Sequence, residues 1–216
     1  MSIEIKIQRN SEILFVEYGQ QRSMIEHRAV DGSGNPIPWY TYPFIEYISC
    51  FKCSDVAVFE YGSGHSSFYW ASRSRSVTSI EHDTEWMDIV SKKAPKNLKL
   101  LLRLTQEAYV NAIREQKTQF DIIIIDGRWR LECAQTAASF LAPGGMIVFD
   151  NSDWYPQACS VLREQGFFQC DFSGFGPVNN YTWTTSLFIL ADARLQKGYV
   201  NPVPIGSWKQ TSDGND

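Results

Sequence analysis

The sequence predicts a doubly wound α/β fold, in which a mostly parallel sheet carries helices on both faces. From Asp55 onward, short apolar segments rich in β-branched residues alternate with segments of helical periodicity. Strands joined by helices pair in parallel, and the helices then cover both faces of the sheet. The chain has 216 residues, of which 44% are hydrophobic, so it is long enough to bury such a core.

Each expected strand is a short apolar run that ends at a glycine, a proline or a polar residue. The strands are Val56–Glu60, Ser76–Ile80, Leu98–Leu104, Phe120–Ile125, Met146–Phe149, Phe167–Phe172 and Thr184–Leu190. Helical periodicity and capping residues predict helices between them at Ser66–Ser74, Glu85–Lys93, Gln106–Gln116, Leu131–Leu141 and Pro156–Gln165.

Residues 1–53 are expected to form a small N-terminal cap, because so short a segment buries little core alone. Ile3, Ile5 and Ile7 alternate with polar residues, which predicts short strands there. Residues 54–192 are expected to hold the main domain. Residues 193–216 form a polar tail, predicted to be extended or partly disordered.

The composition argues against several function classes. The net charge is −4, whereas general nucleic-acid binding relies on basic surface, so no nucleic-acid partner is expected. No run approaches the roughly 18 apolar residues that cross a bilayer, and the charged N-terminus does not resemble a signal peptide. Five scattered cysteines fit a reducing compartment, so the expected location is cytoplasmic. The sequence does not specify the oligomeric state, and a homodimer stays open.

A glycine-containing turn follows the first core strand, at residues 60–66. Gly62 and Gly64 have no Cβ, so backbone can approach a ligand closely, and the following helix presents free N–H groups. Glu81 ends the next strand, where a carboxylate can accept both hydroxyls of a ribose. The pattern predicts a cofactor that contains adenosine. Ser67 stands where a dinucleotide motif has its third glycine or alanine, which disfavours pyrophosphate binding.

Four motifs, taken in order, resemble those of class I S-adenosylmethionine-dependent methyltransferases. They are FEYGSG (59–64), SIEHD (79–83), FDIIIIDG (120–127) and LAPGGMIVFDN (141–151). The resemblance covers about residues 54–192. It implies a seven-stranded Rossmann-like sheet with an antiparallel last strand, and S-adenosylmethionine as cofactor. The cofactor-binding residues under this resemblance are Glu60, Gly62, Ser63, Gly64, Ser66, Glu81 and Asp126.

Within that family, Asp126 with Asp150 and Asn151 is similar to the metal site of catechol- and caffeoyl-CoA-type O-methyltransferases. This resemblance implies Mg²⁺ or another divalent cation, whose oxygen ligands would be these three side chains. Such a cation lowers the pKa of an acceptor hydroxyl. Those families have a lysine three residues after the aspartate, where this chain has Trp129. The alternative is that Asp126 acts as a general base without a metal.

The residues predicted to contact the acceptor are mainly aromatic, because small-molecule pockets are lined by rings with few polar groups. An arginine is added because a guanidinium group pairs well with carboxylate or phosphate. The set is Trp39, Tyr40, Arg128, Trp129 and Trp154.

The sequence therefore predicts an enzyme that transfers a methyl group from S-adenosylmethionine to an oxygen of a small phenolic or sugar-like acceptor. Asp126 is the expected catalytic residue. Two alternatives remain open: an NAD(P)-dependent oxidoreductase on a similar sheet, and a non-catalytic cofactor-binding protein that has kept the fold but lost its base.

Overall fold

A computed structural model describes residues 1–194, 200 and 202–207, and its centre is a seven-stranded sheet in the order β3-β2-β1-β4-β5-β7-β6. The strands are β1 Ala57–Tyr61, β2 Ser76–Glu81, β3 Leu98–Leu102, β4 Phe120–Ile125, β5 Leu141–Asp150, β6 Phe168–Gly174 and β7 Trp183–Ile189. The helices are α1 Ile3–Glu12, α2 Gln20–Glu26, α3 Tyr42–Ser49, α4 His65–Arg73, α5 Thr84–Ser91, α6 Gln106–Glu115, α7 Arg130–Ala137 and α8 Pro156–Glu164.

The pairing of the strands confirms the predicted fold class. Strands β1 to β5 run parallel, whereas β7 pairs antiparallel with both β5 and β6. The strand order reverses beside β1, which lies between β2 and β4. In sheets of this kind the crevice for a ligand opens at the carboxyl ends of the strands on either side of that reversal. The ends of β1, β2 and β4 are therefore where a site is expected.

The four isoleucines of β4 show how the sheet is buried on both faces. Ile123 and Ile125 pack into a core under α6, α7 and α8, whereas Ile122 and Ile124 pack into a second core under α3 and α4. All four side chains are fully buried. Successive residues of a strand point to opposite faces, so a strand covered on both sides is a continuous apolar run.

Strand β5 is longer than predicted. It begins at Leu141 and includes the Pro-Gly-Gly segment that precedes the predicted strand, with a register shift against β4 between Phe120 and Ile122. Gly144 has a φ of 80°, a conformation that glycine adopts without strain. The chain therefore bends within β5 instead of leaving the sheet, and α7 ends earlier than predicted, at Ala137.

The predicted N-terminal strands are wrong, because residues 3–12 form α1 and residues 13–17 form a π-helical turn. Ser2 caps α1, its hydroxyl accepting a hydrogen bond from the Ile5 N–H at 3.5 Å. Ile3, Ile5 and Ile7 stay more than half exposed. Residues 3–12 pair with no strand of the sheet, and a helix satisfies the hydrogen-bonding groups of its own backbone.

The segment before β1 is joined to β6 and to the β6–β7 connection by hydrogen bonds from its side chains. The Gln20 side-chain amide donates to the carbonyls of Gly176 (3.0 Å) and Asn179 (3.2 Å). The Thr41 hydroxyl donates to the Phe172 carbonyl at 2.8 Å. These bonds place two segments that are distant in sequence beside each other at the carboxyl edge of the sheet.

Two further observations concern the ends of the chain and membranes. The predicted polar tail is described only at residues 193–194, 200 and 202–207; the Ile205 N–H donates to the Glu46 carboxylate at 2.7 Å. The rest of the tail lies outside the described residues. Among the helices that the structure describes, none is long and apolar enough to cross a membrane.

Candidate active site

The glycine turn after β1 packs tightly against the end of β4. Gly62 has a φ of 110°, and its N–H donates to the Ile80 carbonyl at 3.0 Å. A Cβ at Gly62 would lie 3.1 Å from the Asp126 carbonyl oxygen. Both the left-handed backbone and the close approach therefore require glycine here. The turn brings the glycine loop directly beside the aspartate that follows β4.

Glu60, which was predicted to bind the cofactor, is buried beneath the glycine loop. Its side chain is fully buried, and it lines neither of the two cavities at this edge. The hydroxyls of Ser66, Ser67 and Ser79 donate to its two carboxylate oxygens. Burial raises the pKa of Glu60, and the serine bonds oppose that rise. Through these bonds, Glu60 links the start of α4 to β2.

Glu81 is held in place at the end of β2 by its neighbours. Its Oε1 accepts hydrogen bonds from the backbone N–H groups of His82 (2.7 Å) and Asp83 (3.0 Å), and its Oε2 accepts one from the Ser63 hydroxyl (2.7 Å). The carboxylate lies on the wall of a cleft of about 360 Å³. This preorganised carboxylate suits the two hydroxyls of a ribose.

A second cavity of about 370 Å³ adjoins this cleft, and both are lined by Ser63, Trp86 and Asp126. The Trp86 indole N–H donates to the Ser63 carbonyl at 2.8 Å, so the ring lies over the glycine loop. The second cavity has further aromatic walls and a polar rim. Its other lining residues are His27, Arg28, Ala29, Trp39, Gly64, His65, Ser66, Asp150, Asn151, Trp154, Asn179 and Tyr181.

Asp126 lies where the two cavities meet, with 19% of its side chain exposed. Its Oδ1 accepts a hydrogen bond from Arg130 at 3.1 Å. Burial raises the pKa of Asp126 from 3.8 to about 7, although the positive charge of Arg130 opposes the rise. A carboxylate with such a pKa can accept a proton near neutral pH.

Asp150 and Asn151 also reach this edge, but their side chains are already engaged. Asp150 Oδ1 accepts hydrogen bonds from the Trp183 indole N–H at 3.0 Å and from the Thr185 hydroxyl. Burial raises the pKa of Asp150, and the nearby charge of Asp126 adds to that effect. The Asn151 side-chain oxygen accepts a bond from Arg130 at 2.9 Å.

The residues present do not fit the divalent cation that the resemblance implied. The guanidinium of Arg130 already binds two of the three expected ligands, Asp126 and Asn151. A dication bound to the same oxygens would be repelled by that charge at close range. Among the described residues, no group of three or more histidine, cysteine, aspartate or glutamate side chains is arranged to hold a metal.

The structure separates the predicted acceptor-contacting residues into two groups. Trp39 and Trp154 line the larger cavity, each with at least 40% of its surface exposed. Tyr40 is fully buried in the core beside α3, and its phenol ring packs against Phe44. Tyr40 therefore does not line the cavity.

Arg128 and Trp129 also lie away from the larger cavity. Arg128 is exposed, and the Trp129 ring packs against Tyr109 and His82, with ring centres 5.2 and 6.0 Å apart. Trp129 has a left-handed backbone, with a φ of 50°. The chain therefore turns at Trp129, and Arg130 enters the site.

Several residues of the larger cavity were not predicted, namely His27, Arg28, His65, Trp86, Asn179 and Tyr181. His65 is fixed by a 2.6 Å hydrogen bond between Nδ1 and the Ala29 carbonyl, and burial lowers its pKa. The sequence could have indicated two of them: His65 directly follows Gly64 of the glycine loop, and Trp86 lies five residues after Glu81. His27, Arg28 and Asn179 come from segments whose meeting depends on the long-range bonds of Gln20.

Comparison with known proteins agrees with this geometry. Residues 59–152 match a protein family described as "Methyltransferase domain". No curated protein matches the chain.

Solved structures share the fold at low sequence identity. The precorrin-6y C5,15-methyltransferase of Geobacter metallireducens has a TM-score of 0.56 and 14% identity, over 68% of this chain and 87% of that chain. A Streptococcus mutans protein described as a methyltransferase, solved in complex with S-adenosylhomocysteine, has a TM-score of 0.52 and 12% identity, over 67% and 94% of the two chains. Residues 59–152 therefore resemble a methyltransferase domain, and the chain has the fold of these two methyltransferase structures.

Proposed function

We propose that the protein methylates a hydroxyl group of a small phenolic or sugar-like acceptor. The observation that carries this proposal is the meeting of two cavities at Asp126, one suited to a ribose and the other walled by aromatic rings. The size of the aromatic cavity, about 370 Å³, suits a small molecule. The acidic composition supports an acceptor other than a nucleic acid.

The smaller cleft is the proposed place of the nucleoside part of the cofactor. Glu81 accepts the ribose hydroxyls, and the backbone of Gly62 and Ser63 lies against the sugar. The backbone N–H groups at the start of α4, beside Gly64 and His65, are available to an anionic group such as a carboxylate. When bound, S-adenosylmethionine supplies an electrophilic methyl group on a positively charged sulfur.

The larger cavity is the proposed place of the acceptor. Trp39 lies on one part of the wall, and Trp154 packs beside Tyr181 with ring centres 6.2 Å apart. Such rings exclude water and offer flat surfaces to a phenol or a sugar ring. They hold the acceptor oxygen in line for displacement, and orientation of this kind supplies much of the rate in a two-substrate reaction.

Asp126 is the proposed general base. It would take the proton from the acceptor hydroxyl as the oxygen bonds to the methyl carbon and the methyl–sulfur bond breaks. The products would be an ether and S-adenosylhomocysteine, with the proton on the carboxylate. A second oxygen, Oδ2, has no hydrogen-bond donor among the described residues and is available for this transfer. Because burial raises the Asp126 pKa to about 7, the carboxylate is a stronger base than an exposed aspartate.

The experiment is a panel of phenols, sugars, amines and carboxylic acids, each incubated with the protein and S-adenosylmethionine. Product mass and S-adenosylhomocysteine release identify the acceptor. We expect methyl transfer to hydroxyl acceptors and loss of turnover in Asp126→Asn. The control is Asp121→Asn, which should keep its turnover, because Asp121 lies near the start of the same strand and lines neither cavity. Transfer to amines alone, or full turnover by Asp126→Asn, would refute the proposal.

A further inference from the structure

Arg130 is the first residue of α7, and its guanidinium group lies among oxygen atoms at the ends of β4 and β5. Nε donates to the Gly127 carbonyl at 3.0 Å. Nη1 donates to the Asn151 side chain at 2.9 Å and to the Asp150 carbonyl, and Nη2 donates to Asp126 Oδ1 at 3.1 Å. These contacts use four of the five N–H donors of the group.

The position of this guanidinium group is strongly constrained. Only 10% of the Arg130 side chain is exposed, and its central carbon lies 4.9 Å from the centre of the Tyr155 ring. A cation over an aromatic face is attracted by the ring. Movement of Arg130 out of the site would leave four acceptors unpaired, and buried unpaired polar groups are costly. The group is therefore unable to give way easily to another cation.

We infer that Arg130 is a built-in cation that takes the place of a divalent metal, so that methyl transfer in this protein requires none. The inference rests on the proposed function for the reaction, and on the contacts above for the place of the charge. Arg130 acts as a positioning residue: it holds the Asp126 carboxylate and the Asn151 amide in fixed orientations beside the acceptor cavity. A planar guanidinium with several donors suits this task better than an ammonium group.

The first test measures metal binding and needs no substrate. Mn²⁺ is titrated calorimetrically into the wild type, Arg130→Met, Arg130→Lys and the control Arg114→Met. Arg114 also lies over an aromatic ring, that of Phe140, but it is remote from both cavities. We expect no specific Mn²⁺ binding by the wild type, Arg130→Lys or the control. We expect a specific, saturable Mn²⁺ site in Arg130→Met, because a repelling charge is removed.

The second test uses turnover of the acceptor found above. We expect full activity of the wild type in EDTA, and a kcat lowered by about 100-fold in Arg130→Met with an unchanged Kd for S-adenosylhomocysteine. A kcat in Arg130→Lys that lies between those of the wild type and Arg130→Met would show that the positive charge is required, and not only the packing of the side chain.

Specific Mn²⁺ binding by the wild type that Asp126→Asn abolishes would overturn the inference, as would loss of wild-type activity in EDTA with recovery in Mg²⁺. A folded Arg130→Met that binds Mn²⁺ no better than the wild type would overturn it as well. If Arg130→Met does not fold, the wild-type titration still decides. Failure to find a hydroxyl acceptor would refute the proposed function and leave the Mn²⁺ result standing on its own.

Discussion

Replacement of Glu81 by glutamine tests the assignment of the ribose site most directly. The amide oxygen of Gln can keep the two backbone hydrogen bonds from His82 and Asp83, at 2.7 and 3.0 Å. The amide nitrogen then replaces Oε2, and the Ser63 hydroxyl can rotate to accept from it. The variant is therefore expected to fold normally.

The expected loss is in cofactor affinity. A hydrogen bond to a charged group is worth about 1.5–3 kcal/mol, and the neutral amide presents one acceptor oxygen where the carboxylate presents two. A loss of about 2–3 kcal/mol corresponds to a Kd for S-adenosylhomocysteine raised by roughly 30- to 150-fold. Isothermal titration calorimetry measures this Kd.

The matched control is Glu85→Gln, four residues further on, where the side chain is exposed in the first turn of α5. It removes the same charge from the same neighbourhood without changing the carboxylate at the end of β2. A Kd for Glu81→Gln within about threefold of the Glu85→Gln value, with both variants folded, would refute the assignment of Glu81 to the ribose.

Three further predictions address the base, the acceptor wall and the buried carboxylate. Because the pKa of Asp126 is raised to about 7 and its ionised form is the base, kcat/KM should fall as pH decreases below about 7; a flat profile between about pH 5.5 and 8 would contradict this. Trp154→Ala should raise the acceptor KM by about tenfold and leave the Kd for S-adenosylhomocysteine unchanged, whereas an equal change in both would contradict the cavity assignment. Ser79→Ala should lower the free energy of unfolding in urea by about 1.5–3 kcal/mol, because it removes a 2.7 Å bond to buried Glu60; a loss no larger than that of exposed Ser72→Ala would contradict it.

The sequence predicts an element correctly where the hydrophobic pattern is local and the residues that form it are deeply buried. The isoleucine run of β4 could be recognised as a strand because an apolar core covers each of its two faces. The alternating Ile3, Ile5 and Ile7 gave the wrong result, since a strand also needs a partner edge, which the local pattern does not contain.

The orientation of site residues was harder to predict than the site's place in the chain. Arg128 and Arg130 flank Trp129 in sequence, yet only Arg130 reaches Asp126, because the left-handed backbone of Trp129 redirects the chain. Glu60 was expected to face the cofactor, but three serines from two different elements enclose it. Tertiary contacts of this kind do not leave a periodic signal in the sequence.

The hydrogen bonds from Gln20 to Gly176 and Asn179 have a consequence for protein engineering. The wall of the larger cavity includes two segments about 140 residues apart in the chain: Trp39 belongs to one segment, and Tyr181 belongs to the other. Under the proposed function, both segments together determine the choice of acceptor. A chimera that exchanges only the N-terminal segment with a homologue would break the contacts at Gln20 and mismatch the wall. Exchange of both segments together is the design that would transfer acceptor preference intact.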